Sequence, residues 1–110
     1  EDKTNVSATV ELLTKWYNAP LGLGQDWVGV MANRVLATTY TNNMGRAIQL
    51  AVNAFFSNGG YAFYVNEKGV EAITSAGTNW AFKLGHAISA DTTYRLTGVN
   101  VSIQSWWELR

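Results

Sequence analysis

Aromatic side chains carry the clearest recognition chemistry in this sequence. The chain of 110 residues contains five Trp and five Tyr residues. A flat aromatic face with a polar edge suits the apolar face of a sugar, and such a contact requires no charge. Trp16 and Tyr17 come just before a loop, and Trp106 is out of phase with the apolar residues of its segment, which favours surface or interface positions. Packing at an edge or a rim is the open alternative for each of the three.

Three other tryptophans alternate in phase with aliphatic neighbours, as buried strand residues do. We expect core positions for Trp27, Trp80 and Trp107. The candidate sugar site therefore combines the remaining aromatics with hydroxyl and amide partners near one strand end and the adjoining loop at residues 18–26. Its predicted members are Ser7, Trp16, Tyr17, Asn18 and Trp106. Because no basic cluster accompanies them, we expect uncharged recognition.

The groups that usually catalyse reactions are few and scattered. His86 is the only histidine, and it alternates with apolar residues, which favours a hydrogen-bonded core or interface imidazole over a general base. No two carboxylates are spaced to share one face of a strand or helix, so no glycosidase pair is evident. The chain has no cysteine, which excludes a thiolate nucleophile and a cysteine-based metal site. We therefore predict a protein that is not an enzyme and has no metal site and no cofactor.

Charge and hydropathy argue against two kinds of partner. Eight basic and eight acidic residues cancel, and no run of like charge could follow a phosphate backbone, so nucleic acid is not expected. No apolar run approaches the roughly 20 residues that span a bilayer, so membrane insertion is not expected. The chain begins at Glu1, as a mature exported protein would, and we predict a secreted protein. Its length suits a single domain over residues 1–110, with a polar arm at residues 1–7.

Short alternating segments predict a mainly β domain built around one principal helix, an α+β arrangement. Residues 27–32 and 35–40 have the pattern of a hairpin, and residues 61–65 and 80–88 have the pattern of strands. A change of phase near Gly98 indicates a bulge in the last strand. We expect these strands to form a small barrel.

One segment has the signals of a helix. Thr41 or Asn42 can cap its start, and Ser-Asn-Gly-Gly at residues 57–60 supplies a left-handed stop, which predicts a helix from about Asn43 to Ser57. Its polar stripe is narrow, so we expect burial against its own sheet and against a neighbouring subunit. Small side chains on one stripe would permit that contact. The predicted oligomer interface is Ala47, Ala51 and Ala54.

The segment NNMGRAIQLAVNAFFSNGGYAFYV resembles the helix-to-strand segment of the B subunits of pertussis-like and subtilase-cytotoxin-like bacterial toxins. EDKTNVSATVELL is similar to their polar arm and first strand, and RLTGVNVSIQ is placed like their last strand. The resemblance implies an OB-type (oligonucleotide/oligosaccharide-binding) barrel in a ring of five, whose helices line a central pore. It also implies binding to host-cell glycans and to an enzymatic A subunit. Ser7 stands near the place where these proteins contact sugar.

Hypotheses from three classes of function follow. The first is a non-catalytic, glycan-binding subunit of an oligomeric bacterial toxin that acts at the cell surface, with a homopentamer as the expected assembly. The second is a monomeric secreted inhibitor or adaptor that binds another protein through the loop at residues 18–26. The third is a hydrolase whose site the sequence does not reveal.

Overall fold

The described part of the chain is an antiparallel β-sheet. The computed structural model describes residues 21–77 and 79–110. Six strands form one sheet in which every pairing is antiparallel. In chain order they are β1 (Trp27–Gly29), β2 (Tyr40–Thr41), β3 (Ile48–Val65), β4 (Lys68–Ser75), β5 (Trp80–Ile88) and β6 (Thr93–Leu109). A 3-10 turn at Met31–Asn33 is the only helical segment in these residues.

Two long strands, β3 and β6, organise the sheet. They pair with each other along almost their whole length. The other edge of β3 pairs with β5 over residues 48–56 and with β4 over residues 59–65. The other edge of β6 pairs with β1 near one end and with β2 near the other. Each long strand therefore has two halves with different neighbours.

The sheet folds over on itself into two layers. Tyr94 and Glu108 lie 14 positions apart on β6, yet the Tyr94 hydroxyl donates a 2.8 Å hydrogen bond to the Glu108 carboxylate. A straight strand rises about 3.3 Å per residue and would hold these side chains tens of ångströms apart. β6 therefore turns back on itself, and β3 follows it. Layer A contains β1, β5, residues 48–56 and residues 101–109, and layer B contains β2, β4, residues 60–65 and residues 93–98.

The reversal occurs where both long strands cross from one layer to the other, and the β3–β6 register shifts there. Asn58 and Asn100 adopt left-handed φ angles of 48° and 57°, a conformation that Asn tolerates better than most residues. At Gly59 an added Cβ would lie 2.1 Å from the Val99 carbonyl oxygen. The close approach of the two strands thus requires a residue without a side chain. The register shift lies next to Gly98, where a bulge in the last strand was expected, but the extra residues are on β3, whose residues 57–59 lie opposite Asn100 alone.

One apolar core fills the space between the layers. Tyr61 of layer B stacks on Phe82 of layer A with ring centroids 3.8 Å apart, and Phe63 stacks on His86 at 4.9 Å. Because β3 and β6 bury residues on their inward side and not on their outward side, burial fixes the register of these long strands. The inward residues of the first half of β3 are Ile48, Leu50, Val52, Ala54 and Phe56.

The mainly β prediction is confirmed, but the helix predicted over Asn43–Ser57 is wrong. Residues 42–47 are not helical, and residues 48–57 belong to β3. From Ile48 to Phe56 every second residue is buried, which is the period of a strand. Burial between two layers and the β-branched and aromatic residues outweigh the helix propensity of the alanines. The Ser-Asn-Gly-Gly stop is the bend of β3.

The expected barrel is not closed in the described residues. β4 and β5 both pair with β3, but no ladder joins them to each other. The hairpin predicted from residues 27–32 and 35–40 is also absent, because β1 and β2 each pair with β6. The strand predictions at residues 61–65 and 80–88 are confirmed.

Gly59→Ala tests the tight crossing. We expect this change to lower the free energy of unfolding by about 1–3 kcal/mol, because the added methyl group must displace backbone. Gly85→Ala is the matched control, since its added Cβ meets nothing closer than 3.6 Å. Denaturant unfolding of both variants measures the difference, and equal stabilities would contradict the crossing geometry.

Candidate functional site

The sugar site predicted from the sequence lies mostly outside the described residues. This applies to Ser7, Trp16, Tyr17 and Asn18. The fifth member, Trp106, is 1% exposed, and its indole nitrogen donates a 3.2 Å hydrogen bond to Glu108. Its ring offers no face to a ligand, so the surface position expected for Trp106 is wrong.

An extra residue in β6 inverts the expected orientation of its tryptophans. Between Asn53 and Ala54 the pairing partner on β6 jumps by two positions, which leaves Gln104 as a bulge. One extra residue moves every side chain that follows to the opposite face. Trp106 therefore points inward, and Trp107 points outward with 45% of its surface exposed.

The core positions expected for the other tryptophans are also wrong. Trp27 is 50% exposed and Trp80 is exposed to a similar degree. Trp27 lies on the three-residue strand β1, which covers only the end of β6. Phase with aliphatic neighbours therefore did not separate buried from exposed indoles.

The alanines predicted as one interface stripe do not share a face. Ala54 is buried in the core, whereas Ala51 is partly exposed on the outward side of β3. Ala47 precedes the strand. The stripe existed only on the helix that this segment does not form, so the predicted oligomer interface is wrong in its arrangement.

The outward side of layer A carries two neighbouring tryptophans, and we call this surface the aromatic face. Gly29 of β1 pairs with Trp107 of β6, and Trp27 precedes Gly29 by two positions, so both indoles stand on the same side as diagonal neighbours. An added Cβ at Gly29 would lie 3.2 Å from the nearest atom of the Trp107 ring. The ring therefore lies against the backbone of β1. The aromatic face comprises Trp27, Trp107, Ala51, Asn53, Phe55 and their cross-strand neighbours on β5 and β6.

Small residues make the surface beside the tryptophans flat. Trp107 pairs with Ala51 of β3, which pairs in turn with Gly85 of β5. Ala51 and Gly85 have no side-chain atoms that extend from the sheet as far as the indole does. A planar ligand can therefore rest on the sheet with one edge against an aromatic ring.

Amide and hydroxyl groups occupy the next row of the aromatic face. The Asn53 side-chain amide donates a 2.9 Å hydrogen bond to the Ser105 hydroxyl. Lys83 pairs with Asn53 from β5 and is the only charged residue among the outward positions of layer A that the structure describes. Groups of this kind can donate to and accept from the hydroxyls of a sugar.

A charged network is buried between the layers. Glu108 is 1% exposed, and Arg34 donates to its carboxylate from Nε at 3.1 Å and from Nη2 at 3.0 Å. Tyr94 and Trp106 donate to the same carboxylate at 2.8 Å and 3.2 Å. Burial, followed by the hydrogen bond to Glu108, raises the pKa of Tyr94 to about 12. The network compensates the buried negative charge and ties the two layers together.

A second polar cluster, which the sequence pattern did not predict, links β4 to β5. The Tyr61 hydroxyl donates a 2.5 Å hydrogen bond to Glu71, and the other carboxylate oxygen lies 3.2 Å from His86 Nε2. Burial and the nearby carboxylate raise the pKa of Tyr61, so its hydroxyl stays protonated at neutral pH. The expectation of a hydrogen-bonded core or interface imidazole at His86 is confirmed. Only contacts between distant strands, which spacing does not show, could have revealed this cluster.

Two concavities lie away from the aromatic face. A groove of about 760 Å³ on layer B has an uncharged lining that includes Gly60, Ala62 and Thr97. A polar pocket of about 400 Å³ adjoins Arg34 and Arg110. No cluster of acidic or histidine residues that could hold a metal occurs within residues 21–77 and 79–110. The same residues form no helix with the length and hydropathy needed to cross a membrane.

Glu108→Gln tests the buried network. We expect a loss of about 3–5 kcal/mol in the free energy of unfolding, because the Arg34 charge is left buried without its partner. Glu67→Gln is the matched control, since Glu67 forms an exposed ion pair with Arg95 at 3.2 Å, and exposed pairs contribute about 0–1 kcal/mol. Denaturant unfolding measures both, and losses of equal size would contradict the assigned role.

The raised pKa of Tyr94 predicts a loss of stability in alkaline solution. The folded state favours the neutral hydroxyl, so this contribution is complete below the ordinary value of 10 and is lost as pH rises through about 12. We expect the free energy of unfolding to fall less steeply between these values in Tyr94→Phe than in the unchanged protein. Denaturant unfolding across this pH window tests the expectation, and identical slopes would refute it.

Comparisons of the chain with protein-family models, with curated proteins and with solved structures find no match.

Proposed function

We propose that this chain is a non-catalytic carbohydrate-binding subunit that holds uncharged sugars on the aromatic face. The observation that carries the proposal is the pair of half-exposed tryptophans, Trp27 and Trp107, held side by side on adjacent strands. Contiguous apolar surface of this kind is a sign of an interaction site. Aromatic rings offer sugars a flat apolar contact, and the nearby amide and hydroxyl groups offer hydrogen bonds.

The sheet supports this function because it holds the rings in place before a ligand arrives. The Trp107 ring lies against Gly29. The next residue of β6, Glu108, points inward and is held there by its hydrogen bonds. Little side-chain entropy is then lost on binding. Binding at one such site is expected to be weak, with a Kd near the millimolar range, or about 4 kcal/mol. Several sites acting together would bind a surface that carries many glycans with much higher avidity.

Delivery of an enzymatic A subunit, action as part of a secreted bacterial toxin, a homopentamer and an OB-type topology stay predictions of the resemblance. The pore-lining helix that it implies is not formed, so self-association would have to use another surface. Light scattering on the purified protein measures the mass, and a monomer at micromolar concentration would contradict the pentamer.

A protein-binding adaptor is the competing function, because half-exposed tryptophans also suit protein interfaces. The two functions differ in the partner that the aromatic face captures. An open glycan array with no signal, combined with a stoichiometric protein complex that Trp107→Ala abolishes, would favour the adaptor.

Trp27→Ala and Trp107→Ala test the sugar site. We expect each to lower affinity for a glycan identified on the array by about tenfold or more, which is about 1.4 kcal/mol. Raising salt from low to moderate concentration is expected to change the affinity little, because few full charges take part.

Trp80→Ala is the matched control, since it removes a half-exposed indole whose pairing partner, Phe56, belongs to the inward side of β3. Circular dichroism and thermal melting verify the fold of each variant. Equal glycan affinity in all three variants and in the unchanged protein would show that the glycan does not bind at the aromatic face.

A further inference from the structure

We infer that the aromatic face binds the interior of an extended, unbranched and uncharged polysaccharide rather than a single terminal sugar. The inference rests on the proposed function of the same face. It follows from the way in which the aromatic and polar residues are spread along the strands of layer A.

Aromatic rings stand towards both ends of the aromatic face. Trp107 shares a cross-strand row with Ala51 of β3, and Phe55 stands four positions further along the same strand. Phe55 is 42% exposed. At about 3.4 Å per residue, the two rows are roughly 14 Å apart. A single sugar ring does not cover this distance, whereas a chain of several sugars does.

Hydrogen-bonding groups occupy the row between these aromatics. The Asn53 amide and the Ser105 hydroxyl are already joined at 2.9 Å, which fixes the orientation of both groups. Two positions beyond Phe55 on β3, the Ser57 hydroxyl accepts a 2.9 Å hydrogen bond from the backbone of Asn79. Aromatic and polar rows thus alternate along the β3 strand of the aromatic face, as an extended chain of sugars would require.

The side of the aromatic face that β5 forms carries mostly short side chains. The outward residues there are Ala81, Lys83, Gly85 and Ala87, of which only Lys83 is longer than alanine. Within the residues that the structure describes, nothing on this side encloses the end of a ligand, so a polysaccharide can continue past the tryptophans and past Phe55. The single charge at Lys83 provides no cluster for an acidic chain. The chemistry therefore favours a neutral chain bound along its length.

A chain-length titration tests the inference. The protein is titrated by calorimetry and tryptophan fluorescence with glucose, mannose, xylose and galactose, with their unbranched β-linked oligosaccharides up to the hexamer, and with polygalacturonate as a charged comparison. In the neutral series with the strongest signal, we expect the hexamer to bind at least about tenfold more tightly than the monosaccharide.

Phe55→Ala separates an extended site from a local one. We expect it to lower affinity for the hexamer about tenfold and to leave affinity for the disaccharide unchanged, because only the longer ligand reaches both aromatic rows. Val99→Ala is the control, since Val99 is exposed at the crossing between the layers, where it lines the groove and pairs with Gly60 rather than with a residue of either aromatic row. It is expected to change neither affinity.

Four outcomes would overturn the inference. Equal affinity for monosaccharide and hexamer, or an unchanged hexamer affinity in Phe55→Ala, would leave a local sugar site and so preserve the proposed function. Tighter binding of polygalacturonate would refute a neutral ligand. No binding of any glycan, together with a dimer that Trp107→Ala dissociates, would refute both proposals and assign the face to a second copy of the chain.

Discussion

The compensated charge of Glu108 is the interaction on which the two-layer arrangement depends. An isolated carboxylate between the two layers would be too costly to bury, so it needs hydrogen-bond partners from both layers. Tyr94 comes from layer B, Trp106 from the same strand in layer A, and Arg34 from the loop between β1 and β2. Arg34 also lies over the ring of Tyr40 at 4.4 Å. Because hydrogen bonds tolerate little change in distance, this network fixes how the layers face each other.

The buried network and the aromatic face are two sides of one strand. Alternation in β6 sends Trp106 and Glu108 inward and Trp107 outward, so the charge that holds the layers also orients the exposed indole. The bulge at Gln104 sets this phase. A one-residue change in register would expose Glu108 and bury Trp107, removing the interior anchor and the binding surface together. Fold and candidate site therefore depend on the same register.

Regular alternation made part of the fold predictable, and two local features hid the rest. The strands at residues 61–65 and 80–88 show clear period-two patterns, and the structure has both. At residues 48–57, the alanines and the Gly-Gly pair that follows have the sequence pattern of a helix. The segment is a strand because every second residue is buried between the layers. The bulge at Gln104 has no signal in a single sequence, so the orientation of Trp107 could not be predicted. The site is also built from β1, β3, β5 and β6, whose juxtaposition is a property of the topology.

The sharing of β3 and β6 between both layers also determines how this protein can unfold. Neither layer can lose its ladder alone, because each long strand would then be ordered in one half and free in the other at the tight crossing near Gly59. The β3–β4 connection is short and joins paired strands, whereas the β3–β5, β3–β6 and β1–β6 ladders join residues far apart in the chain. The β3–β4 hairpin therefore forms before those ladders close, and loop-closure entropy makes their closure the slow step. The molecule behaves as one cooperative unit, and one of these slowly closing ladders, β1–β6, brings Trp27 and Trp107 together.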